Sequence, residues 1–322
     1  MDFNGFLNKY QKKEVYQYKN TVGPNPLVSV CVQTYQHENY IEDCLNSILG
    51  QHTNFDFEIL LGEDCSNDRT RGICVAYAEK HPGRIKLFLH HPENKIKVGD
   101  IVTGNFNVLY NLFSAKGKYI AVCEGDDIWK DPLKLQKQTY FMEQNPDYSI
   151  CYHEFHSVDE NGDFLPLSPA SPLRSDLSCQ ELNFPWKHPA TLTILFENIF
   201  NTIPKEVLKV INVDIFLYSL LGQKGKGKFI NNIEPAAYRV HPEGIWSSTT
   251  SDTKLLLLIN TFKELANYYQ RINEPEKSIH FRNRIFKLYH SSIYNSLLSF
   301  KSIKAFQHLW NYSSYRLKKG EL

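Results

Sequence analysis

Three carboxylates fall within four residues at Glu124-Gly125-Asp126-Asp127, directly after the apolar run Tyr119-Ile120-Ala121-Val122-Cys123. Negative charges this close repel one another unless cations or hydrogen-bond donors compensate them. Oxygen ligands of this kind suit Mg2+ or Mn2+ shared with substrate phosphates, and Gly125 permits a close backbone approach. The plainer reading is a solvated acidic turn. A second acidic stretch, Glu63-Asp64-Cys65-Ser66-Asn67-Asp68, follows Glu58-Ile59-Leu60-Leu61. A carboxylate there can accept hydrogen bonds from a base N–H or from ribose hydroxyls. The competing reading is an Asx-rich turn that caps the next helix.

The elements that must position these groups follow from periodicity. Residues 1–26 form a Lys- and Tyr-bearing lead-in closed by Gly23-Pro24-Asn25-Pro26. Val28-Ser29-Val30-Cys31-Val32 reads as a buried strand, and Ile41, Leu45, Ile48 and Leu49 recur at helical spacing in Tyr40–Leu49. The pattern predicts strands at 58–61, 85–89 and 119–123, with helices at 70–80 and 105–115 between them. Alternating strands and helices imply a parallel α/β sheet with ligands at the strand C-termini. Both acidic stretches then face one crevice. Asp131-Pro132 offers the start of a helix that Asn145-Pro146 closes. Strand-like runs at 150–152 and 191–196 flank a Pro- and Ser-rich loop at 165–178. From about Ser251 the pattern is helical, broken at Asn273-Glu274-Pro275.

In this order the motifs resemble the family 2 glycosyltransferases. Thr34-Tyr35-Gln36-His37-Glu38-Asn39-Tyr40-Ile41 with Leu45, Ser47-Ile48 and Gln51 resembles the family's opening, and Glu63–Thr70 resembles its acidic segment. Ala115-Lys116-Gly117-Lys118-Tyr119-Ile120 leading into Glu124-Gly125-Asp126-Asp127-Ile128-Trp129 resembles the metal-binding DxD region. Asp131–Gln136 continues the likeness. Val213-Asp214 resembles the catalytic-base position, and Tyr238-Arg239-Val240-His241 through Trp246-Ser247 resembles the loop that closes over the donor. The resemblance covers roughly residues 27–250 and implies a GT-A fold: a Rossmann-like mixed or parallel sheet with flanking helices, here followed by a helical C-terminal segment, 251–322. It implies that Thr34, Tyr35, Glu63 and Asp64 line the nucleoside pocket, with Glu124, Gly125 and Asp126 also at the donor. Asp126, Asp127 and His241 are the implied metal ligands, Arg239, His241 and Trp246 belong to the diphosphate loop, and Asp214 is the general base. Glu124 stands where the family has Asp. The Ala-Arg-Asn segment common before the DxD strand is absent, and Asn105-Phe106-Asn107 occupies its region.

The chemistry implied is an inverting transfer. An acceptor hydroxyl attacks the anomeric carbon of a UDP- or dTDP-sugar while the nucleoside diphosphate leaves. The acceptor would be a saccharide or a lipid-linked saccharide. A nucleotidyltransferase would need a Gly-rich, cationic phosphate loop after the first strand, where Thr34-Tyr35-Gln36-His37 stands instead. A catalytically inactive sugar- or partner-binding domain would not need Asp64, Asp126, Asp127 and Asp214.

Bulk properties narrow the setting. The 322 residues are 42% hydrophobic and 22% charged, a globular composition, and a net charge of +1 argues against nucleic-acid binding. Lys254–Lys319 nevertheless holds 12 Lys+Arg against 3 Asp+Glu. There Phe281, Ile285, Phe286, Tyr289, Ile293 and Leu297-Leu298 form an apolar helical stripe among Arg282, Arg284 and Lys287. Such a stripe usually faces a core, but it is also compatible with peripheral contact with an anionic membrane. Seven scattered cysteines without a CxxC pair argue against disulfides or a cysteine zinc site, and Met1–Tyr18 lacks an apolar signal core. The expected location is the cytoplasm, peripheral to the inner face of the membrane if that contact is made. His153-Glu154-Phe155-His156 lies in a strand-like segment rather than on a zinc-binding helix, and Gly222–Lys228 lacks phosphate-loop spacing.

Overall fold

The computed structural model describes residues 1–166, 172–242, 244, 249–298 and 302–317. The chain gathers into two compact units, Met1–Ile203 with Val213–Ser248, and Pro204–Asn212 with Thr249–Leu322.

The first unit is built on an eight-stranded sheet. Its strands are β1 (Tyr16–Gln17), β2 (Val28–Thr34), β3 (Phe57–Glu63), β4 (Ile85–Leu89), β7 (Tyr119–Val122), β8 (Tyr148–Tyr152), β10 (Leu195–Glu197) and β11 (Lys226–Phe229). They lie in the order β1-β4-β3-β2-β7-β10-β8-β11. The block β4-β3-β2-β7 is parallel throughout, whereas β10 runs antiparallel to both β7 and β8. Strands covered on both faces must be apolar along their length, and β3 is buried at every position. Two small pairs complete the unit: β5 (Ile96–Val98) with β6 (Ile101–Thr103), and β9 (Phe155–Val158) with β12 (Ala236–Arg239).

Helices cover the sheet as the periodicity predicts. In α2 (Ile41–Leu49), Ile41, Cys44, Leu45 and Ile48 are buried, and the chain returns through α3 (Thr70–Lys80). The helix α4 (Asn105–Ser114) instead buries three asparagines. Asn111 donates to the carbonyls of Val32 (3.0 Å) and Leu60 (3.1 Å), and Asn107 donates to that of Gly62 (2.8 Å). A methyl group on Gly62 would land on the Asn107 side chain, so the two residues fit only as a pair. Asn107 thus serves as a clamp on the β3 strand.

Two expectations change in detail. The helix after Asp131-Pro132 is α5 (Lys134–Gln144), and Asp131 caps the turn ahead of it by accepting from the Leu133 N–H at 2.8 Å. Residues 191–196 are not one strand: Thr191–Thr193 form a 3-10 turn before β10. The Thr193 hydroxyl and N–H both bond the Ala190 carbonyl, which closes the turn. Beyond it lies α7 (Val213–Leu221).

The second unit holds α8 (Ser251–Arg271), α9 (Pro275–Leu298) and α10 (Ser302–Leu317). Asn273 takes a left-handed φ of 63° between α8 and α9, and Pro275 opens the next helix, as end and start signals require. Phe281, Ile285 and Tyr289 of the apolar stripe are buried, with Phe281 stacked on Tyr269 of α8 at 5.7 Å. Phe286 is exposed. Among the described residues no helix is long and apolar enough to cross a membrane.

A buried polar knot ties the N-terminal ends of the central strands. Glu58 accepts from Ser29 (2.7 Å), from the Lys116 N–H (3.1 Å) and from Lys86 Nζ (2.6 Å). Removing one partner of such a pair strands a buried charge. The Lys86→Met variant is expected to lose about 3–5 kcal/mol in urea unfolding, and adding Glu58→Gln should recover most of it.

Candidate functional site

The site forms where β2, β3 and β7 end. The turns after β2 and β3 are laced together. The Gln36 N–H bonds Ser66 Oγ (2.9 Å), His37 N–H bonds Thr70 Oγ1 (2.8 Å) and Glu38 N–H bonds Asp68 Oδ2 (3.1 Å). Each turn contains a non-glycine residue in the left-handed region, Gln36 (φ 56°) and Cys65 (φ 64°). Such conformations persist where the surroundings over-determine them, often at functional sites. Asp68 accepts from the Thr70 N–H (2.9 Å), so this end of the acidic segment does act as an Asx cap.

Asp64 has a different environment. It is 5% exposed and ion-paired with Lys95, whose Nζ also lies 4.6 Å from the Tyr35 ring centroid. Burial pushes the Asp64 carboxyl up to about 6 despite that cation. Tyr35 is 45% exposed and offers an open ring face beside this pair. Glu63, by contrast, is wholly buried and occupied: it accepts from the Ser66 N–H at 2.6 Å and from Arg71. It holds the turn.

The acidic turn after β7 is pressed against the end of β2. Gly125 N–H bonds the Gln33 carbonyl (2.9 Å), and a methyl on Gly125 would sit 2.7 Å from Thr34 Oγ1 and 2.8 Å from His37 Nδ1. This approach brings Asp126 to two imidazoles. Its Oδ2 is 3.1 Å from His241 Nε2 and 4.0 Å from His37 Nε2. Burial raises the Asp126 carboxyl, but the His241 hydrogen bond and the charges of both imidazoles outweigh it and hold the group low.

The two neighbouring acids are placed otherwise. Asp127 is 2% exposed and accepts from the Arg239 N–H at 2.9 Å; burial, then the charges of Asp126 and Glu124, raise it strongly. Glu124 accepts from Thr191 Oγ1 at 2.8 Å through one oxygen, while the other is buried without a hydrogen-bond partner. Burial pushes its carboxyl up to about 7, and the charges of Asp126 and Asp214 add to this. Asp214 therefore lies within electrostatic reach of the turn, in the first turn of α7.

Arg239 reaches this region through a bridge between Ile128 and Ala237 that sets β12 beside the turn. Its side chain donates to the carbonyls of Asp126 (3.0 Å), Asp159 (3.1 Å) and Glu160 (2.9 Å), and it is 5% exposed. The guanidinium is engaged by main-chain carbonyls, and it braces the turn. Trp246 and Ser247 lie outside the described residues, as do residues 167–171 of the Pro- and Ser-rich loop.

Among the described residues, His37, Asp126 and His241 offer ligand atoms all within 4.8 Å of one another. Two imidazoles and a carboxylate fit Mn2+ better than Mg2+, which favours oxygen. One Glu124 oxygen, two residues before Asp126 in the same turn, is buried without a hydrogen-bond partner. His37 and Lys95 were not singled out by sequence reasoning. His37 stood in plain view after the first strand, whereas nothing around Lys95 marks it, because only the fold carries it to Asp64. The pair His153 and His156 is split by burial: His153 is 2% exposed, and burial holds it well below the usual imidazole range.

Comparison with known proteins agrees with this architecture. Residues 29–205 match the model described as Glycosyl transferase family 2. An uncharacterized protein of Mycobacterium tuberculosis is 31% identical over 236 residues, covering 70% of this chain and 62% of that protein's length. TuaG of Bacillus subtilis, provisionally named a teichuronic acid biosynthesis glycosyltransferase, is 39% identical over 117 residues, or 36% of this chain and 42% of TuaG. The crystal structure of S. aureus TarS in complex with UDP has the same fold, with a TM-score of 0.55 at 15% identity over 91% of both chains.

The raised Asp64 carboxyl has a consequence for stability. Displacement from about 3.9 to about 6 costs the folded state nothing at low pH and up to roughly 3 kcal/mol once the group is ionised above pH 6. Asp64→Asn is therefore expected to gain stability relative to wild type as pH rises from about 4 to about 7, in urea unfolding across that range. A gain independent of pH would contradict the assignment.

Proposed function

Because the chain belongs to glycosyl transferase family 2, we propose that it moves a sugar from a nucleoside-diphosphate donor to a saccharide or lipid-linked saccharide hydroxyl. The observation that carries this reading is the convergence of His37, Asp126 and His241 at the acidic turn that also buries an unpartnered Glu124 oxygen. These three residues would hold a divalent ion, best Mn2+. When bound, the ion neutralises charge growing on the leaving diphosphate.

The chain's own groups supply the rest. Tyr35, Asp64 and Lys95 receive the base, which for a uracil presents an N–H to the carboxylate and carbonyls to the ammonium. A pyrimidine donor, UDP- or dTDP-linked, fits that pairing, and the UDP complex of the TarS fold relative supports the first. Asp214 takes the proton of the acceptor hydroxyl as its oxygen bonds to the anomeric carbon and the bond to the diphosphate breaks. One displacement of this kind inverts the centre. Arg239 and Asp127 keep the turn in place while charge moves beside it.

The test is a nucleotide-sugar screen for hydrolysis or transfer with Mn2+, Mg2+ and EDTA. Asp126→Ala is expected to lower kcat/KM by about 10^2–10^4 and to weaken Mn2+ binding, whereas Asp214→Asn should lower kcat by a similar factor with UDP affinity kept. If wild type neither binds nor consumes any nucleotide sugar, the reading fails.

The second unit supports contact with anionic lipid, since Ile279, Phe286, Tyr294 and Trp310 are exposed among the basic residues of α9 and α10. Full-length protein should float with phosphatidylglycerol vesicles and not with phosphatidylcholine vesicles. Failure to float with either removes the membrane from this proposal.

A further inference from the structure

A cavity of about 550 Å3, separate from the acidic turn, opens between the C-terminal half of α5, the end of β11 and residues 174–176. Its walls are braced from within. The Asp176 carboxylate accepts from the Phe229 N–H (3.0 Å) and Lys228 Nζ (2.9 Å), and Leu177 and Gly227 exchange two main-chain hydrogen bonds of 2.8 Å. Lys137 Nζ donates to the Asn232 carbonyl at 2.7 Å. A wall already ordered leaves little entropy to lose when a ligand arrives.

Three cations line this cavity, and each already has a carboxylate: Lys137 with Asp131, Arg174 with Glu154, and Lys228 with Asp176. The last turn of α5 also faces it, and the C-terminus is the negative end of a helix. Neither feature attracts a phosphate. What the wall offers besides is the neutral amides of Gln144 and Asn231 with the Tyr140 ring, which is 67% exposed. A pyranose is complementary to that surface, with hydroxyls for the polar groups and a C–H face for the ring.

We propose that this cavity binds a neutral oligosaccharide segment, a stretch of acceptor remote from the reacting hydroxyl. The proposal rests on the glycosyltransferase reading. Two hydrogen bonds at Asp131 and the main chain of β12 connect the cavity wall to the acidic turn. Asp131 Oδ2 accepts from Lys137 and also from the Glu234 N–H at 3.0 Å, just ahead of β12, whose Arg239 bonds Asp127.

The full-length protein is to be applied to a printed array of neutral and uronate-containing oligosaccharides, and the strongest neutral binder titrated by calorimetry. Tyr140→Ala is expected to weaken that binding roughly tenfold, the scale of losing one aromatic face, and Tyr140→Trp to retain it. Melting temperature and UDP affinity should stay unchanged in both variants. The inference is overturned if no neutral oligosaccharide binds, if only uronate-containing ones bind, or if Tyr140→Ala binds as wild type does. Absence of UDP binding by wild type would count against the transferase reading, and the saccharide titrations would still be read independently.

Discussion

Negative charge in a buried turn is the constraint on which the site depends. Glu124, Asp126 and Asp127 cannot all be ionised in a dry, crowded turn without distinct partners, and the fold gives each a different one. Asp126 meets two imidazoles, Asp127 meets a main-chain N–H, and Glu124 meets one hydroxyl and keeps an oxygen unsatisfied. Similar side chains thereby acquire separate proton affinities. The imidazoles hold the Asp126 carboxyl low, while burial raises those of Asp127 and Glu124.

That division needs backbone precision. Gly125 lets the turn touch Thr34 and His37, and the turns after β2 and β3 are laced by side-chain hydrogen bonds through two left-handed residues. Beneath them, Asn107 and Asn111 reach from α4 to strand carbonyls and stiffen the platform. The strain at Gln36 and Cys65 is tolerated because these neighbours leave the chain no easier path.

Much of this was legible in the sequence. Apolar runs separated by helical periods gave the parallel block, and both acidic stretches fell at strand C-termini as that pattern required. The Asn273-Glu274-Pro275 break fell where expected. What was not legible depends on long-range contact. Lys95 gains meaning only when a hairpin sets it against Asp64, and Arg239 looks like a phosphate ligand until three carbonyls are found around it. Residues 191–196 carry strand propensity throughout, yet hydrogen bonds to the Ala190 carbonyl divide them into a turn and a short strand. Asn105-Phe106-Asn107 likewise concealed a clamp, because a donor amide inside a helix has no pattern of its own.

The short antiparallel strand β10 carries a consequence beyond topology. Only three residues long, it joins the parallel block to β8 and β11, and the turn that precedes it delivers Thr191 to Glu124. Side chains along a strand alternate between faces, so a slip of a single residue would invert its two neighbouring seams together. The same slip would carry the Thr191 hydroxyl off its carboxylate. One short strand therefore fixes both how the two parts of the sheet are stitched and where the hydroxyl partner of Glu124 sits.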